Sequence, residues 1–148
     1  MTATPLKAPT APTTILGDWY ANVTDDGHIL CVSEQTLLPI VLPREALPSL
    51  ATELPRAVSM VLAKLGVDEA AIQRERFAMA QVAVSTTASR RVLGFLKEFA
   101  FLLEAAQEGA SLIDRSLWLA HTPCNASSRD AMWPDEATRA AFTNTDQG

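Results

Sequence analysis

The dipeptide Asp26-Gly27 constrains this chain more than any other pair of residues. It lies between two stretches rich in strand formers, Trp19 to Val23 and Ile29 to Val32. A two-residue type I′ turn needs positive φ at both central positions, which Asp-Gly tolerates. Such a turn pairs Asp25 with His28, Val23 with Leu30, Ala21 with Val32 and Trp19 with Glu34. Alternation then puts Trp19, Ala21, Val23, Leu30 and Val32 on one face, and Tyr20, Asn22, Thr24, Ile29, Cys31 and Ser33 on the other. A second turn at Glu34-Gln35-Thr36 leads into a third strand, Leu37 to Leu42, where Pro39 lacks an N–H for the ladder and so marks an edge or a bulge.

Helical spacing follows. Pro43 to Glu53 reads as a short helix, and Pro55 opens a second whose stripe is Leu54, Val58, Val61, Leu62 and Leu65. Gly66 ends it, and Asp68 caps a third that carries Ile72, Phe77 and Met79. Val82 and Val84 alternate with Ala83 and Ser85 in a short fourth strand. Thr86 to Ser89 offer capping oxygens to the longest helix, Arg90 to Gln107, on which Val92, Leu96, Phe99, Leu103 and Ala106 share one face. Ser111 caps a last helix with Ile113, Leu117 and Ala120 facing inward. The expected fold is therefore α+β: a three- to four-stranded antiparallel sheet packed on one face by a central helix and its neighbours. The domain spans residues 15–125, with 1–14 a flexible leader rich in Pro and Thr and 126–148 a loosely held polar tail.

Composition restricts the function classes. The chain has 148 residues, 48% of them apolar, and a net charge of −5, which disfavours a phosphate-backbone binder and so a nucleic-acid partner. No apolar run reaches the length of a membrane span, and the first residues lack the apolar core of a secretory signal. The expected location is cytoplasmic, with Cys31 and Cys124 reduced.

Four segments carry a resemblance: Leu16-Gly17-Asp18-Trp19-Tyr20-Ala21-Asn22, Val32-Ser33-Glu34-Gln35-Thr36-Leu37-Leu38-Pro39, Ser89 to Gly94 running on to Glu98-Phe99-Ala100-Phe101-Leu102, and Leu119 to Cys124. In order and spacing the stretch from Leu16 to Cys124 resembles a family of small bacterial proteins of unknown function. The resemblance implies a shared fold and assigns no activity and no site.

His28/Cys31 and His121/Cys124 repeat a His-x-x-Cys spacing, and two such pairs supply enough ligands for zinc. Residues three apart on a strand point to opposite faces, so His28 and Cys31 do not ligate together, and no metal or cofactor is expected. His121 beside Cys124 suggests an activated thiolate, but no local motif supplies an orienting group or an oxyanion donor. No phosphate loop or nucleophile elbow occurs.

Two surface readings remain open. Gly94, inside the long helix, shares its polar side with Arg90, Lys97 and Phe101. This stripe is either buried beneath the leader or tail, or it is a patch for a protein partner. The second reading places a small-molecule or anion site, catalytic or not, at Trp19, Tyr20 and Asn22 near Arg90 and Arg91, where a helix start offers free N–H groups. A non-enzymatic interaction or regulatory module is the leading expectation. Self-association into a homo-oligomer is left open.

Overall fold

The computed structural model describes residues 14–81, 84–85, 90–104, 111–121 and 133–147. It is α+β. Strands β1 (Trp19–Val23), β2 (His28–Ser33) and β3 (Pro39–Pro43) form an antiparallel meander, and the two-residue β4 (Val84–Ser85) joins β1 in parallel, giving the order β3-β2-β1-β4. The helices are α1 (Leu50–Lys64), α2 (Glu69–Ala78), α3 (Arg90–Glu104), α4 (Leu112–Ala120) and α5 (Pro134–Gln147).

The hairpin forms, but its register differs from the expected one by a residue. Val23 pairs with Ile29, Ala21 with Cys31 and Trp19 with Ser33. The loop is three residues long, because Thr24 N donates to His28 O at 2.8 Å and Gly27 N donates to Thr24 O at 3.1 Å. This is a turn closed by a bulged glycine, so positive φ is needed at Gly27 alone (88°) and Asp26 avoids it. The Thr24 hydroxyl locks the loop by bonding the Asp26 carboxylate and by accepting from His28 N at 3.1 Å.

A one-residue slip exchanges the faces of β2. Trp19, Ala21, Ile29, Cys31, Ile40 and Leu42 now share one face, which packs on Leu54, Val58, Val61 and Leu62 of α1 and on Ile72 of α2. Leu30, Val32 and Val41 share the other with half-buried Tyr20, under Val92, Phe95, Leu96, Phe99 and Leu103 of α3. Helices thus cover both faces of the sheet, where one was expected. The cause lies in β2: Ile29-Leu30-Cys31-Val32 is apolar at every position and needs burial on both sides.

Pro39 does mark an edge, since β3 is the outer strand. Its free side is covered by α4. Val41 N donates to Ser116 Oγ at 2.9 Å, and the same hydroxyl donates to Leu112 O at 2.8 Å. Asp68 and Ser111 cap α2 and α4 as expected. Between Arg44 and Ser49 the chain makes a 3-10 turn, and α1 starts at Leu50, so that Pro55 lies inside it and not at its start. Phe77 belongs to no core stripe; it is 85% exposed on the side of α2 away from Ala71, Ile72 and Glu75.

The expected loose tail is corrected over residues 134–147, which form α5. Phe142 is buried in the core beside α1, Thr138 donates to Thr36 Oγ1 at 2.9 Å, and Arg139 Nε donates to Leu65 O at 2.9 Å. Of the expected leader, residues 1–13 lie outside those described. Thr14 is buried, with its hydroxyl donating to Gly17 O at 3.3 Å.

Candidate functional site

Helix α3 has two distinct sides. Its inner side holds Phe95 and Phe99 with ring centroids 6.5 Å apart, against the sheet. Its outer side presents Leu93, Gly94, Lys97 and Phe101 to solvent or near it. Phe101 is 73% exposed, while Phe99 two residues away is 0% exposed. Above Gly94 the space is open: a Cβ placed there meets no atom within 4 Å.

Beside this face runs a groove of about 200 Å³ between α3 and the β1–β2 loop, lined by Asn22, Asp25, Asp26, Leu96, Lys97 and Ala100 among others. Two residues from separate sequence readings, Asn22 and Lys97, therefore meet in one depression. The Thr24 hydroxyl holds the Asp26 carboxyl below its usual range, and His28, whose Nδ1 lies 3.1 Å from Asp26 Oδ1, adds to the effect.

Trp19 and Tyr20 are not brought together. Trp19 is wholly buried on the α1 side, its indole N–H without an acceptor among the described residues, and Tyr20 faces α3. Burial raises the Tyr20 phenol above its ordinary value, with Glu34 and Asp18 contributing. The side chains of Arg90 and Arg91 lie outside what is described.

Sequence reasoning missed a buried polar junction. Glu75, 3% exposed, accepts from Ile15 N at 2.8 Å and Leu16 N at 3.1 Å. Burial pushes its pKa up, against the pull of these two N–H groups. Next to this anchor Gln35 N donates to Leu16 O, Glu34 N donates to Asp18 O, and Ser33, Thr36 and Thr138 link hydroxyl to hydroxyl. Gly17 takes a φ of 80° with Gln35 against it. The first two motif segments thus serve one another's backbone. The signal was present: Glu75 sits in the apolar stripe of Ala71, Ile72 and Met79, where a solvated carboxylate does not belong.

The histidine–cysteine pairs divide. Cys31 is wholly buried, and burial pushes its thiol up to about 12, so it stays protonated at neutral pH. Among the described residues no three of His, Cys, Asp and Glu gather to hold a metal. His121 gains an orienting group that no local motif announced: its Nδ1 is 2.7 Å from a carboxylate oxygen of buried Asp135. Its neighbour Cys124 lies outside the described residues.

These features define a small α+β protein whose sheet is covered on both faces and whose helix α3 turns Lys97 and Phe101 outward. It belongs to the family described as "Domain of unknown function (DUF6933)", whose model matches residues 1–137, a longer span than Leu16 to Cys124. No curated protein and no solved structure matches the chain.

Proposed function

We propose that this protein is an interaction module that binds a protein partner through the outer face of α3. The supporting observation is the contrast on one helix between Phe99, fully enclosed, and Phe101, 73% exposed on the side that also carries Gly94, over which the space is open. A single exposed aromatic needs no explanation, and Phe77 on α2 is such a case. Phe101 differs in lying one turn from Lys97, which lines the groove, and on the same helix side as Gly94, over which the space is open. That groove is below the usual size of a small-molecule site and carries two carboxylates, so it reads as part of the docking surface and disfavours an anion.

Truncation of each ring tests the reading. Phe99→Ala should cost about 3–5 kcal/mol of stability. Phe101→Ala should stay within about 0.5 kcal/mol of wild type while abolishing a cross-linked complex that the wild-type chain forms in its own cells. Equal losses of melting temperature would refute it.

A further inference from the structure

A second cavity lies at the corner where α1 ends and α2 begins, bordered by α5. It holds about 320 Å³, and Leu65, Val67, Asp68, Arg139, Phe142 and Thr143 line it. That volume is at the small end of the range for small-molecule sites, about 300–1,000 Å³. On α5, Arg139, Phe142 and Thr143 follow one another at i, i+3 and i+4, so one helix face carries a cation, an apolar wall and a hydroxyl. The two charged residues of the cavity are each only partly used. Arg139 Nε donates to Leu65 O at 2.9 Å, which satisfies a carbonyl left over at the end of α1 and fixes the plane of the guanidinium. Asp68 Oδ2 accepts from Ala70 N at 3.1 Å as the cap of α2. The Nη groups of Arg139 and the other oxygen of Asp68 meet no partner among the described residues, and the two side chains form no ion pair with each other. Capping thus accounts for one atom of each group and leaves a cation and an anion on one cavity, unpaired.

We propose that this cavity binds a free α-amino acid with an apolar side chain. The ligand carboxylate pairs with the Nη groups of Arg139, whose planar fork matches it. The ligand ammonium meets the Asp68 carboxylate, and the side chain lies toward Leu65, Val67 and Phe142. A zwitterion answers both charges at once. A simple anion leaves Asp68 opposed to it, and a simple cation leaves Arg139 opposed to it, so both are selected against. An amino acid within a peptide chain has neither backbone charge and is rejected for the same reason. The bond to Leu65 O holds the guanidinium in place before the ligand arrives, which lowers the cost of ordering it. The site is separate from the α3 face and does not depend on that reading.

Titration of L-leucine into the isotope-labelled full chain, followed by amide NMR, tests this. Saturable shifts are expected at the amides of Gly66, Val67, Asp68 and Thr143. Leucinamide, which lacks the carboxylate, and isocaproate, which lacks the ammonium, should each bind about tenfold or more weakly. Asp68→Asn keeps the helix cap, because Asn caps as well as Asp, and should weaken leucine about tenfold without weakening isocaproate. Arg139→Gln should weaken leucine by a similar factor without weakening leucinamide. Thr143→Trp, at an exposed position of α5, should fill the cavity and abolish binding at an unchanged melting temperature. Absence of saturable shifts at these amides overturns the proposal, as does equal binding of leucine and its two analogues. Undiminished leucine binding by Thr143→Trp would overturn it as well. The analogue series uses the wild-type chain, so it decides the matter even where a variant fails to fold.

Discussion

Asp26-Gly27 shows how one residue redirects a strand. The dipeptide announced the hairpin, but the register depended on Thr24, whose hydroxyl binds both the Asp26 carboxylate and His28 N. A rule built on the turn dipeptide alone does not contain that side chain. Leu37 hid a similar choice. It takes a φ of 60° so that its N–H can donate to Ser33 O while its side chain enters the core, at a cost of about 1–2 kcal/mol. Cys31 carries the prediction at this scale. Burial raises its thiol from an ordinary 9.0 to about 12. A raised folded value means that its contribution is intact below pH 9.0 and is lost as the pH climbs toward about 12, where the unfolded thiol ionises and the folded one does not. A thiol reagent at neutral pH should leave Cys31 unmodified in the folded chain and label it after denaturation. Stability followed by urea titration should fall above pH 9, and Cys31→Ala should flatten that fall. Rapid labelling of native Cys31 would contradict its burial.

Elements with a long apolar stripe were legible, and those fastened by a few polar contacts were not. The periodicity of α3 separates its core side from its outer side. Helix α5 was missed because Phe142 looked isolated among polar residues, although Pro134-Asp135-Glu136 is a helix opening with acids placed at the positive end of the dipole. Helix α4 was expected, but its role on the β3 edge was not, since a hydroxyl bonded to a strand 75 positions away leaves no local pattern. Ser116→Ala should leave the Val41 N–H buried without an acceptor and cost about 1–3 kcal/mol. It should also speed amide exchange at Val41 and raise the tendency of the β3 edge to aggregate. Unchanged exchange at Val41 would show that the edge is protected by packing alone.

For the molecule as a whole, the class α+β and the central place of α3 followed from the order of periodic segments. Coverage of both sheet faces did not, because the expected register had sorted Leu30 and Val32 from Ile29 and Cys31. With both faces closed, Trp19 lost its place in any surface site, and Asn22 and Lys97 met in a groove that neither reading had contained. The outer face of α3, where Phe101 is exposed, is where the proposal places a partner. Site-specific photo-cross-linking tests this most directly, with the probe placed at position 101 or at the equally accessible position 77 of the full chain. The account predicts an adduct of one discrete mass from position 101 and none from position 77. Adducts of equal yield from both positions, or from position 77 alone, would contradict it.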